Sequence, residues 1–131
     1  MAFPGAVYPW NGVAARVRMP VTGGTTRSEI LTVPRGAKVM TIHVPALVGT
    51  GATVKLQTLA PTETVEATQV WSDISVFDLT DGTFEVLDAL VESTAVTLPI
   101  SATGGGNLSF IASEDQSATP SVIPVFFGFD D

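Results

Sequence analysis

Apolar and polar residues trade places one by one, in run after run along this chain. Ala15, Val17 and Met19 fall on one side of such a run, with Arg16 and Arg18 on the other. Met40, Ile42 and Val44 alternate with Thr41 and His43, and Val54 and Leu56 with Thr53, Lys55 and Gln57. Val96, Leu98 and Ile100 make a further set, and Leu108, Phe110 and Ala112 alternate with Asn107, Ser109 and Ser113. A period of two places successive side chains on opposite faces of a pleated strand, so these runs predict half-buried β-strands. Val and Thr are the commonest residues, 17 of each. Both are branched at Cβ, which suits a pleated surface better than a helix.

Turn chemistry separates the runs. Gly23-Gly24, Gly49-Thr50-Gly51, Asp81-Gly82 and Gly104-Gly105-Gly106-Asn107 are the candidate turns. About eight strands are expected, drawn from 13–19, 28–33, 37–45, 53–59, 68–77, 84–88, 94–101, 107–113 and 121–129, with one or two merged or lost. At 131 residues the chain makes one domain and can bury a core without staples. The expected fold class is all-β: a single-domain antiparallel β-sandwich, jelly-roll-like, over residues 13–131. One segment reads two ways. Phe84, Leu87, Leu90 and Val91 lie at helical spacing behind Asp81 or Thr83 as a cap, whereas Phe84, Val86 and Asp88 give a strand. At most one short helix is expected, within 84–92.

Two segments depart from the pattern. Ser121-Val122-Ile123-Pro124-Val125-Phe126-Phe127-Gly128-Phe129 is apolar on both faces, which calls for cover on both sides, from the same domain or another subunit. Pro124 has no N–H to give a ladder, so it is expected at an edge, bulge or gap. Residues 1–12 set Phe3, Tyr8 and Trp10 among Pro and Gly. That composition predicts an extended N-terminal arm, folded over its own sandwich or anchored by its aromatics in a groove of a neighbour.

Charge is divided along the chain. The net charge is −7, yet all six Lys and Arg lie between Arg16 and Lys55, and Glu29 is the one acid before Glu63. The halves either neutralise each other within one sandwich, or the basic half reaches an acidic surface on another copy or partner. Six scattered basic residues make no phosphate-tracking stripe, so no nucleic-acid partner is expected. No run approaches the length of a membrane span, and Pro and Gly interrupt the first residues where a secretory leader would be apolar. A protein made in a cytoplasm and without a membrane partner is the expectation.

The chemistry-bearing residues are sparse. With no Cys, thiol catalysis and Cys-ligated metals are excluded, and the single His43 stands alone on a strand before Pro45, without a Gly-x-Ser-x-Gly elbow. Asp78, Asp81, Glu85 and Asp88 are the densest acidic cluster. Lacking the full EF-hand spacing, Asp78-Leu79-Thr80-Asp81-Gly82 reads first as a solvated turn and only second as a hard-cation site. The Gly104–Gly106 run has no Gly-Lys-Ser/Thr after it and reads as a hairpin tip. Asn107-Leu108-Ser109 is read as a chance sequon. Trp71-Ser72-Asp73 reads first as core, Trp71 lying between Val70 and the nearby Ile74, and second as a sugar platform. No catalytic residue, cofactor or metal is expected, and the chain is not expected to be an enzyme.

The stretches Val54-Lys55-Leu56-Gln57-Thr58, Val70-Trp71-Ser72-Asp73-Ile74, Asp81-Gly82-Thr83, Leu98-Pro99-Ile100 and Gly106-Asn107-Leu108-Ser109-Phe110-Ile111-Ala112-Ser113, with the closing apolar strand, resemble small β-sandwich structural proteins of tailed bacteriophages. The resemblance covers roughly residues 37–129. It implies a virion component, a capsid decoration (cement) protein that binds and stabilises the shell of the major capsid protein, often as a trimer or dimer, with terminal arms clamping capsid subunits. The alternative is a carbohydrate- or receptor-binding β-sandwich module of a tail fibre or baseplate. The family offers no signature residue to carry over. From the residues themselves, Phe3, Tyr8, Trp10, Arg16, Arg18, Phe127 and Phe129 are the candidate partner-binding positions.

Overall fold

The computed structural model describes residues 12–20, 26–59, 70–103, 106–117 and 121–129. Eleven strands occur among them: β1 (Gly12–Arg18), β2 (Leu31–Thr32), β3 (Val39–His43), β4 (Thr53–Leu59), β5 (Trp71–Asp73), β6 (Ser75–Asp78), β7 (Thr83–Val86), β8 (Leu90–Val91), β9 (Ala95–Pro99), β10 (Asn107–Ala112) and β11 (Val122–Gly128). One sheet has the order β1-β11-β3-β9 and the other β2-β10-β4-β5. All these pairings are antiparallel.

The connectivity is that of a jelly roll. Strands pair from the outside of the sequence inward: β1 with β11, β2 with β10, β3 with β9, β4 with β5. The chain is thus one long antiparallel ribbon rolled into two facing sheets. β5 and β8 meet the same flank of β4, β5 at Gln57–Leu59 and β8 at Thr53 and Val54. They act as one interrupted strand, and β6–β7 is a hairpin inserted into it. Counted this way the sandwich has eight strands, the number the alternation predicts.

The alternating sets point inward as expected. Val17, Met40, Ile42, Leu98, Ile123, Val125 and Phe127 from the first sheet meet Leu31, Val54, Leu56, Leu90, Leu108, Phe110 and Ala112 from the second in one buried cluster. Each of these side chains except Ala112 stabilises the fold by ~1.5–3 kcal/mol over its exposed state. Pro124 lies opposite Arg16, one residue past the end of the β3 ladder at Val125–Ile42, which is the gap its missing donor calls for. The segment 84–92 takes the strand reading: β7, a short connection and β8. The one helical turn among the described residues lies elsewhere, a 3-10 turn over Ile100–Thr103.

A buried polar contact closes one end of the sandwich. Gln116 is fully buried and serves both polar groups of one peptide position: its Oε1 accepts from Val48 N–H at 2.8 Å, and its Nε2 donates to Val48 C=O at 2.9 Å and to Glu114 C=O at 3.1 Å. The Gly49–Gly51 turn beside it uses positive φ at both glycines.

Candidate interaction surface

The inserted hairpin is where the fold departs from burying its apolar residues. Phe77 and Phe84 stand opposite each other across β6 and β7 and meet edge to face, with ring centroids 5.1 Å apart. Both stay largely in solvent, at 49% and 72% exposure, and Leu79 in the loop between the strands is 88% exposed. Of the eight exposed large apolar side chains among the described residues, six lie between Val70 and Val91. An apolar concentration of this kind marks a contact surface, whereas apolar residues scattered singly do not.

The hairpin is held by short links to the sandwich. Ile74, between β5 and β6, is buried in the core, and its carbonyl accepts from Leu87 N–H at 2.7 Å just after β7. Two open grooves run beside it. One, of ≈ 660 Å³, lies among Val76, Leu79, Val86, Leu87, Leu90 and Val96; the other, of ≈ 460 Å³, separates Phe77 and Phe84 from Thr97 and Pro99 of β9. The hairpin therefore flanks β9, one edge of the four-stranded sheet.

Its charge is of one sign. The hairpin and its return, residues 75–88, hold four acids (Asp78, Asp81, Glu85 and Asp88) and no Lys or Arg, while Asp73 and Glu92 lie to either side on the sandwich. Leu79–Gly82 form the turn between β6 and β7, with Gly82 at φ 72°.

β1 forms the opposite edge of the same sheet. Arg16 and Arg18 point outward from it while Val17 between them is buried. Arg18 pairs with Glu29, Nε to Oε2 at 3.4 Å, and Glu29 Oε2 also accepts from Arg18 N–H. Glu29 N–H in turn donates to Arg18 C=O, so the far end of β1 is tied by the segment before β2. The outward face continues onto β11 with Val122, Pro124 and Phe126. The Phe126 ring lies over Gly12, where a Cβ would clash with Phe126 Cζ unless the ring moved.

The outer face of the second sheet carries a polar network around Trp71. The Arg27 guanidinium lies 4.5 Å from the centroid of the Trp71 ring and donates from Nη2 to Gln57 Oε1 at 2.7 Å. Gln57 Nε2 donates to Asp73 Oδ1 at 2.9 Å, and Lys55 Nζ reaches Asp73 Oδ2 at 3.1 Å. Hydrogen bonds from Gln57 and Lys55 hold the Asp73 carboxyl below the usual carboxylate value, and partial burial lowers the Arg27 guanidinium from its own. Trp71 is thus not the core residue its apolar neighbours suggest. It is half-buried on the outer face, with a cation on its ring.

The sequence-predicted partner residues divide. Arg16 and Arg18 are exposed and adjacent on the β1 edge. Phe129 is half-buried just past β11. Phe127 is a correction: it is 1% exposed and packs in the core, so the outward aromatic of β11 is Phe126. Phe3, Tyr8 and Trp10 lie outside the described residues, as does the expected arm except Gly12, which opens β1. His43 is exposed at the end of β3, on the polar face its alternation predicts. The hairpin ridge is the surface that residue patterns missed as a whole. Its signal was Leu79, an apolar residue inside an otherwise acidic turn, next to Phe77 and Phe84.

No family model matches the chain, and no curated protein matches it. Among solved structures the fold is similar to the crystal structure of the SPBc2 prophage-derived protein YomS, at a TM-score of 0.52 and 12% identity, over 94% of this chain and 99% of that one. At that identity the likeness shows a shared all-β fold.

Proposed function

We propose that this chain is a phage structural protein that decorates and cements a capsid by binding the shell of its major capsid protein. The observation that carries the reading is the hairpin, where the exposed large apolar side chains among the described residues concentrate, set among acids. A fold shared nearly end to end with a prophage-derived protein supports a phage origin. A ligand that binds only the assembled shell stabilises it by mass action, and many symmetric contacts of modest strength add up to a large total.

The test is co-sedimentation of the purified chain with shells of the phage that encodes it, before and after deletion of residues 1–11. The full chain is expected to saturate the shells and raise the temperature at which they come apart. The deletion, which leaves β1 intact, is expected to lose attachment while keeping its far-UV spectrum. Full occupancy by the deleted form removes the arm from the reading, and no attachment of the full chain removes the reading itself. A glycan-binding role has less support, because the Arg27 guanidinium already covers one face of the Trp71 ring.

A further inference from the structure

We infer that the β6–β7 hairpin of one copy docks on the β1 edge of the next, so that the chain assembles head to tail through one repeated contact. This contact uses the same hairpin that carries the shell-binding reading, so the two compete for one surface, and association of the chain without shells is measured separately from attachment to shells.

Three observations support a second copy as the occupant. The first is charge. The hairpin and its return, residues 75–88, carry four acids (Asp78, Asp81, Glu85 and Asp88) and no base, whereas β1 carries Arg16 and Arg18 and no acid. The Arg18–Glu29 pair stays within the basic half, and Lys55–Asp73 joins the halves on the outer face of the other sheet, away from β1. Opposed fields of this kind steer and orient association.

The second is position. The hairpin flanks β9 and the two arginines stand on β1, the opposite edges of one four-stranded sheet. Three strand spacings separate those edges, about 14 Å, with β11 and β3 between. The acidic ridge of one molecule therefore faces away from its own β1 edge. It is presented to another copy.

The third is apolar content. Outside residues 70–91, the exposed large apolar residues among those described are Val13 on β1 and Ile30, next to Glu29. Ile30 adjoins the Arg18–Glu29 pair and offers Leu79 and Phe84 of another copy apolar surface beside positive charge, whereas Val13 lies on Val17's face of β1, opposite to the arginines. A two-fold contact of hairpin on hairpin brings acids against acids. A head-to-tail contact joins two different patches and propagates to three or more copies as a ring or filament, whereas a face-to-face two-fold pair would use the same patches reciprocally and stop at two.

Light scattering and sedimentation of the full chain at about 0.1 mM, where contacts of micromolar Kd are filled, test this. The expected result is a species of three or more copies that dissociates at about 1 M salt, where the screening length falls to about 3 Å. Arg16→Glu, and separately Asp81→Lys with Asp88→Lys, are each expected to weaken association roughly tenfold or more. Mixing the two variants is expected to restore the pairwise contact, since each supplies the charge the other lacks. Leu79→Ser, at a position 88% exposed, tests the apolar part without burdening the fold and is expected to lose association with an unchanged far-UV spectrum. A monomer throughout, a dimer that goes no further, or an assembly indifferent to salt and to these variants overturns the proposal.

Discussion

Replacing Gln116 by Leu removes one acceptor and one donor group from a site with 0% exposure. Three hydrogen bonds go with them, leaving Val48 N–H, Val48 C=O and Glu114 C=O to find other partners. A hydrogen bond contributes about 1 kcal/mol net, and a buried group left without one costs about 1–3 kcal/mol. The leucine recovers part of this by burying more apolar surface, so a loss of about 2–3 kcal/mol is expected. In a domain of this size each kcal/mol is about 3–5 °C in Tm, which places the expected drop at about 6–15 °C. Urea unfolding is the primary assay. The midpoint is expected to fall with an unchanged slope, as it does when stability changes and the exposed area does not. Hydrogen exchange at Val48 N–H is expected to accelerate beyond the global change. A variant within ~0.5 kcal/mol of the parent refutes the reasoning, because the Val48–Glu114 connection is then held without the amide.

Phe127→Ala is expected to cost about 3–5 kcal/mol in the isolated chain, the usual range for emptying a buried Phe site; a change confined to partner binding, with stability intact, contradicts its place in the core. Asp73→Asn tests linkage. Because the folded carboxyl sits below its ordinary value, its contribution is present above that value and is lost as pH falls through the lowered one. The parent is therefore expected to be the more stable at neutral pH, with the two melting temperatures converging in acid; a gap that stays constant across the titration excludes the Gln57 and Lys55 contacts as its source.

The sandwich was legible because its strands bury one face each. Val17 against Arg16, Ile42 against His43 and Phe110 against Ser109 each resolve inside from outside by period alone, although Ser109 is itself buried by Ser28, Oγ to Oγ at 3.2 Å. β11 carries no such information. With Phe126 and Phe127 both apolar, alternation cannot say which faces the core, and the register against β1 decides it. Leu87 and Leu90 imitate helical spacing for a different reason. They flank the return of an inserted hairpin to the sandwich, a tertiary event that local pattern does not encode. Trp71 misled in the same way: its neighbour Ile74 is buried, but Arg27, distant in sequence, claims its ring. The division of charge was plain in the composition. Its meaning depended on which edges of the sheet the two signs occupy, and only the topology gives that.

β11 lies between β1 and β3, yet it is the last of these strands to be synthesised. While a ribosome still holds it, β1 and β3 have no common neighbour, and Val17, Met40 and Ile42 lack the wall that Ile123, Val125 and Phe127 provide. β3 and β9 can pair earlier, but β1 cannot join this sheet of the jelly roll until translation has passed residue 128, so the nascent chain exposes that wall of the core longer than a protein built from local hairpins does.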